Sequence, residues 1–379
     1  MESNKKINPN LHPEDQNKLE IIEEMEITNE DLKDKFVSII LVIRKENHLP
    51  NYVVSQRTNN RKSMFQHFQC PGGHCKKNEK FEETAQRELF EETGLKIDKI
   101  RWKHFETKVW THKRELLPKT RYCSIFEIEI TEEEFSFIER KEPENNGPWM
   151  IVPLTELILK DCIDSLKSHI SYEIENYTRD WQKYVVEGPI GAGKSTIISM
   201  LPKEWKRIPE AALSETLAPK LQEFYEKKIT PIEFQELIEN EYLVILKKLL
   251  ETPYTQPIVF DRSQHATKIF SRYNKIPEEE IQRIKSNSCY YEALLRDSER
   301  IYVQVPKYIM YWNTYKRARP QESANTWKYN LGLREMYHDE YEDAYKECKK
   351  PTKYINNDTL FLFGKSSLRK QIKETFNLE

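Results

Sequence analysis

The chain reads as an α/β protein of two domains, the second built on a parallel sheet flanked by helices. Three observations carry this. At 379 residues it exceeds the roughly 150 residues of a typical single domain. From Tyr184 onward, short apolar strands (184–186, 257–260, 301–305 and 354–355) alternate with helical stretches, the pattern of a parallel sheet covered on both faces. Glycine is scarce, nine in all, yet six fall in two clusters, at 72, 73 and 94 and at 188, 191 and 193. Such clustering marks two places where backbone must pass close to something.

In chain order, residues 1–34 are polar and acidic and read as a mobile arm, with a short helix around Leu19 to Met25. Phe36 to Ile43 is apolar but for Ser38 and reads as a buried strand. Tyr122 to Ile130 sets Phe126, Ile128 and Ile130 against Glu127 and Glu129, the alternation of a half-buried strand. Glu142 to Pro148 is a loop. Leu154 to Lys183 is charged, free of glycine and proline, and reads as a helix closing the first domain. The expected division is an arm at 1–34, a first domain at 35–160, a helical linker at 161–182 and a second domain at 183–379.

Composition removes several function classes. Lysine plus arginine total 60 against 62 acids, without the basic excess of a dedicated nucleic-acid binder. The longest largely apolar stretch, Phe36 to Ile43, has eight residues with Ser38 among them, where a membrane-spanning helix needs about 20. The first six residues carry lysines with no apolar stretch behind them, so no secretory signal is expected. Six cysteines without a Cys-x-x-Cys pair argue against a zinc site or disulfide framework and for a reducing, cytoplasmic setting.

Residues 73–95 read GHCKKNEKFEETAQRELFEETGL. On a helix Glu88, Glu91 and Glu92 stand at i, i+3 and i+4, so their carboxylates share a face. Phe81, Ala85 and Leu89 form the apolar stripe beneath. Clustered carboxylates repel one another unless a cation sits among them, and oxygen-only ligands suit Mg²⁺. Arg87 and Glu79 would orient the cluster. A plain solvent-facing acidic helix would not need these glycines, Arg87 and Glu79 in register. The segment resembles the Nudix box of the Nudix hydrolases at every constrained position of that motif, and the resemblance covers roughly residues 35–160. It implies an α/β/α sandwich that cleaves a nucleoside diphosphate linked to another group, using Mg²⁺ and water. Glu88, Glu91 and Glu92 would be metal ligands, with one of them or a nearby acid activating the water; Glu92 is the candidate catalytic residue. A further downstream acid of the kind some relatives use would be Glu127 or Glu129. The run from Gln69 to His74 is reminiscent of triphosphate-cleaving members.

Residues 188–195 read GPIGAGKS, the G-x-x-x-x-G-K-S phosphate loop, placed after a strand and before a helix. Backbone N–H groups ring the phosphates of ATP, Lys194 neutralises them and the Ser195 hydroxyl ligates Mg²⁺. Gly188, Gly191, Gly193, Lys194, Ser195 and Thr196 are the ATP-binding candidates. The surroundings narrow the class. Glu187 to Thr196 resembles the loop of the deoxynucleoside kinases, Asp261-Arg262-Ser263 their acid-Arg-Ser triplet, and Phe234-Gln235 their base-contacting pair. Arg317-Ala318-Arg319-Pro320-Gln321-Glu322 resembles their R-x-R-x-x-E lid. These signals follow the family's order over residues 183–358.

A nucleoside 5′-hydroxyl is a poor nucleophile, so a carboxylate must accept its proton. Glu210, at the end of the second strand, is the candidate base and Glu215 the runner-up; Pro209 precedes Glu210, where the family's proline usually follows. By the resemblance, Asp261 helps hold Mg²⁺ and Arg262 sits near the 5′-oxygen. Arg317 and Arg319 clamp the transferring phosphoryl, Gln235 pairs with a base edge, and Tyr225 and Glu322 hold the 3′-hydroxyl. Asn313 stands where relatives often carry an extra arginine, with Lys316 or Lys307 to compensate, and no tryptophan follows shortly after Glu210. The expectation is a bifunctional enzyme of small-molecule nucleosides and nucleotides, without nucleic acid or membrane, and dimeric through the kinase half as in the family. The alternative is a nucleoside monophosphate kinase with a Nudix-fold sensor.

Overall fold

The computed structural model describes residues 33–45, 48–60, 64–112, 119–252, 254–317, 332–333, 335–337, 352–357 and 365–378. The arm at 1–32 and the helix expected near Leu19 lie outside the described residues. The chain forms two compact units, one running through Arg44 and resuming from Tyr52 to Ile151, the other holding Lys45–Asn51 and everything from Val152 onward.

The first unit is a mixed sheet of β1 (Lys33–Ile43), β2 (Asn51–Gln56), β3 (Phe68–Gln69), β4 (Trp102–His112) and β5 (Lys119–Glu129), in the order β3-β2-β1-β5-β4, with β6 (Met150–Pro153) paired to β2. β1 lies between β2 and β5 and is buried on both faces, which is why its apolar residues run on without alternating. It begins earlier than its apolar run because Lys33 and Asp34 pair with Thr120 and Arg121 of parallel β5. The helix α1 (Phe81–Thr93) packs Ala85 and Leu89 onto Val37, Ile39, Phe126 and Ile128. Gly94, at φ 78°, ends it.

The second unit carries five parallel strands: β7 (Lys183–Glu187), β8 (Lys206–Ile208), β9 (Ile258–Asp261), β10 (Glu299–Gln304) and β11 (Lys353–Asn356), in the order β11-β10-β7-β9-β8. Its helices include α2 (Asp164–Tyr177), α3 (Lys194–Met200), α4 (Ala218–Tyr225), α5 (Pro231–Leu250), α6 (His265–Tyr273), α7 (Lys307–Arg317) and α8 (Lys365–Phe376). Alternate residues of β10 serve opposite faces. Ile301 and Val303 pack with Ile197, Leu368 and Phe376, whereas Tyr302 packs with Ala266 and Ile269. α5 starts at Pro231 behind a reciprocal cap, Thr230 Oγ1 accepting from the Glu233 N–H and Glu233 from the Thr230 N–H.

The single helix expected over 154–183 is two. A first turn, Leu154–Leu157, tightens into i→i−3 hydrogen bonds at Leu159 and Lys160 and stops. α2 then ends at Tyr177, where buried Lys183 donates to the Thr178 carbonyl at 2.7 Å. Lys183 is thus already the first residue of β7, tied back onto the helix end. Among the described residues no helix is long and apolar enough to cross a membrane.

Candidate active sites

In the first unit, Arg87 organises the acidic face of α1. Its Nε and Nη2 donate to the two oxygens of Glu79, each at 2.9 Å. Its Nη1 donates to Glu88 at 2.6 Å and Glu91 at 2.8 Å, and Nη2 also reaches the His74 carbonyl at 3.0 Å. The bidentate Arg87 contact pulls the Glu79 carboxyl down to about 2. Glu88 is shifted the other way, because burial outweighs Arg87. Glu92 lies 7% exposed; burial, then the Glu142 and Glu88 carboxylates, push its carboxyl up to about 8. Its Oε2 has no hydrogen-bond partner. Gly73 passes so near that a Cβ there would lie 2.5 Å from Glu88 Oε1. A buried carboxylate oxygen without a donor, facing two more carboxylates, fits a hard divalent cation.

The Glu142 carboxylate, in the segment between β5 and β6, bears on Glu92. Glu127 is paired with Arg44 at 3.0 Å and Lys103 at 3.6 Å, and Glu129 stands 3.9 Å from Arg44.

In the second unit the functional groups follow strand ends. All five strands are parallel, so their C-terminal ends share one edge, where α/β proteins bind ligands. β7 ends in Glu187 and the loop at 188–193, β8 is followed by Glu210, β9 ends in Asp261 with Arg262 next, and β11 is followed by Asn357. A cavity of about 380 Å³ opens there. Gly191, Gly193, Lys194, Ser195, Thr196, Glu210 and Arg262 line it, with Tyr225 of α4 and Gln235 of α5.

Lys194 is buried and donates to the Pro189 carbonyl at 3.3 Å. Burial and the Arg262 cation lower its ammonium to about 8 despite nearby carboxylates. Ser195 Oγ donates to Asp261 Oδ2 at 2.9 Å, while Oδ1 has no partner and burial raises the carboxyl. That pair of oxygens also fits a divalent cation. Arg262 adopts the left-handed conformation, φ 73°, uncommon for a side-chain-bearing residue. Its Nε lies 3.4 Å from Glu210 Oε1, and its guanidinium carbon lies 5.0 and 5.3 Å from the ring centres of Phe270 and Tyr337. None of its three nitrogens makes a hydrogen bond. Gln235 is 4% exposed with a partnerless carboxamide oxygen, beside the stacked rings of Phe224 and Phe234 at 4.8 Å.

The family model described as Deoxynucleoside kinase matches residues 184–377, half of the chain. The chain belongs to the deoxynucleoside kinase family. A second model, NUDIX domain, matches residues 34–173. The chain therefore joins a NUDIX domain to a deoxynucleoside kinase domain, and both are families of enzymes. Among solved structures it is similar to an Ap4A hydrolase of C. elegans, at 13% identity over 39% of this chain and 99% of that one, TM-score 0.29. It is also similar to a MutT/nudix family protein of Enterococcus faecalis, at 19% identity over 36% of this chain and 50% of that one, TM-score 0.27. The NUDIX domain of Shewanella oneidensis NrtR, crystallised with ADP ribose, matches at 16% identity over 40% of this chain and 97% of that one, TM-score 0.31.

Within the kinase domain, Gly188 and Asp261 are not among the residues that line the cavity. Glu215 is exposed and does not line it, whereas Glu210 does. Arg317 ends α7, but its side chain, with Arg319 and Glu322, lies outside the described residues. Lys316 lines the cavity and stands 4.9 Å over the Trp312 ring, while Lys307 is paired with Glu335 at 2.9 Å. Ala212 and Leu213 line the wall shortly after Glu210, where no tryptophan occurs. Sequence reasoning missed Glu142, Asn357 and the part played by Glu187. Only Glu187 had a signal, its place directly before the loop.

Proposed function

We propose that the kinase domain transfers the γ-phosphoryl of ATP to the 5′-hydroxyl of deoxynucleosides, and that the NUDIX domain hydrolyses a nucleoside diphosphate-linked substrate. The observation that carries the first reading is the shared cavity. Lys194 and Ser195, the Glu210–Arg262 pair and the carboxamide of Gln235 all line it, and its volume lies in the range of small-ligand sites.

In this reading Glu210 accepts the proton of the 5′-hydroxyl as the O5′–P bond forms and the bond to the ADP oxygen breaks. Arg262, 3.4 Å from Glu210, pairs with that carboxylate and turns it toward the acceptor, and its unused N–H groups face the 5′-oxygen. Lys194 neutralises the phosphate chain, and its lowered ammonium regains full charge beside an anion. Gln235 offers a donor and an acceptor to the base edge. Arg317 and Arg319 clamp the phosphoryl, and Tyr225 and Glu322 hold the 3′-hydroxyl. Mg²⁺, held through Ser195 and Asp261 in one domain and Glu88, Glu91 and Glu92 in the other, would supply charge neutralisation and a more acidic water. In the NUDIX domain Arg87 fixes the carboxylates, and in this reading Glu92, ionised once a cation is bound, helps activate the water.

The test incubates the full chain with Mg-ATP and each of the four deoxynucleosides, and separately their monophosphates, detecting the products by mass spectrometry beside a Lys194→Ala variant. Monophosphate from the wild type alone supports the reading and names the base. Monophosphates converted to diphosphates instead would replace it with a nucleoside monophosphate kinase and remove the role of Glu210.

A further inference from the structure

A loop can turn its N–H groups toward an anion only if the neighbouring carbonyls turn away, and a carbonyl turned into the protein needs a donor there. In the phosphate loop two asparagines supply those donors to consecutive residues. Asn313, on α7, donates from Nδ2 to the Gly191 carbonyl at 2.9 Å. Asn357, just past β11 and 2% exposed, donates from Nδ2 to the Ala192 carbonyl at 2.5 Å. Both side chains line the cavity. The fit at Asn357 is tight. A Cβ on Gly193, which sits at φ 91°, would lie 2.4 Å from its Nδ2. Turning the carboxamide over would set its oxygen against the carbonyl oxygen, so the donor orientation is fixed.

We propose that Asn313 and Asn357 are positioning residues that hold the Gly191–Ala192 turn with its carbonyls inward, forming the anion-facing backbone before the phosphate donor arrives. This rests on the reading of the loop as the ATP site. It also accounts for a neutral residue at 313. The amide reaches the loop's backbone, a contact that a longer, charged arginine would not reproduce in the same space. α7 runs on to Arg317, so the Asn313 bond also ties the loop to the base of the R-x-R segment.

The test compares the full chain with Asn313→Ala, Asn357→Ala and the isosteric Asn357→Asp, which keeps the shape and removes the donor. Each single variant is expected to raise KM for ATP about tenfold, with KM for the deoxynucleoside unchanged. Asn357→Asp should be at least as impaired as Asn357→Ala. Asn313→Gln, which retains a carboxamide, should recover part of the loss. Binding of inorganic tripolyphosphate by calorimetry gives a readout independent of turnover. Weakening of about tenfold in the variants supports the proposal even if no nucleoside is phosphorylated. Equal tripolyphosphate binding by wild type and variants overturns it, as does absent binding by the wild type. A parallel rise in both KM values with a lowered melting temperature would show a general structural role and also overturn it.

Discussion

One carboxylate oxygen of Glu187 takes two hydrogen bonds from Ser263, from its backbone N–H at 2.9 Å and from its hydroxyl at 2.7 Å. The other oxygen takes the Tyr337 hydroxyl at 2.8 Å. The fully buried acid thereby locks the end of β7, where the phosphate loop departs, to the residue after Arg262. Glu187→Gln keeps the shape but gives up the charge and one acceptor. It should destabilise the kinase domain by about 2–3 kcal/mol, and Ser263→Ala by about 1 kcal/mol. Urea unfolding followed in the double variant should give less than the sum, since both remove the same bonds. An unchanged midpoint for Glu187→Gln would show that the anchor is idle.

Glu239, on α5, makes stability pH-dependent. Burial raises its carboxyl to about 7, with Lys285 and Thr267 pulling it back. Its folded value lies above the ordinary 4.5, so between those two pH values the folded state holds a proton that the unfolded state has released. Stability falls as pH rises through that window and levels off above it. Glu239→Gln removes this slope and should stabilise the protein at pH 8 by on the order of 2 kcal/mol. Melting curves at pH 5 and pH 8 decide it, and a variant with the wild-type pH slope would rule Glu239 out as the source.

Gln235 should act on one substrate only. Gln235→Leu fills the same space without polar atoms, so KM for the deoxynucleoside should rise roughly 10-fold or more while KM for ATP stays put. Equal changes in both would place Gln235 away from the base.

Arg87→Lys keeps one charge and loses the fork that reaches three carboxylates. NUDIX hydrolysis should fall roughly 10- to 100-fold and Mn²⁺ affinity, read by calorimetry, should weaken with it. Phosphorylation by the kinase domain should be unaffected. Undiminished Mn²⁺ binding would mean that the carboxylates keep their positions without Arg87.

What could be read in advance had a local cause. The register of Glu79, Arg87, Glu88 and Glu92 lies within one short stretch around α1, and the phosphate loop is one short run, so spacing alone exposes both. β4 went unread because its pairing with β5 shifts between His104 and Glu106. The extra residue breaks the two-residue alternation on which a strand is recognised. Glu142 and Asn357 were invisible for another reason. Each meets its partner only after folding, and neither belongs to a pattern of its own. Spacing could not choose between Glu127 and Glu129, because an acid on a strand reads the same whatever it meets after folding, and both stand near Arg44.

The two sites differ in how far apart their parts lie along the chain. Glu79, Arg87 and the acids of α1 are near neighbours in sequence, so their cluster closes a short loop at small entropic cost. The kinase site draws on the ends of β7, β8, β9 and β11, and its phosphate loop meets Asn357 across most of that domain. During synthesis the NUDIX cluster can be complete while the kinase sheet is still emerging. The phosphate loop has to wait for β11, so a kinase domain stalled before that strand would carry its nucleotide motif without the shape to use it.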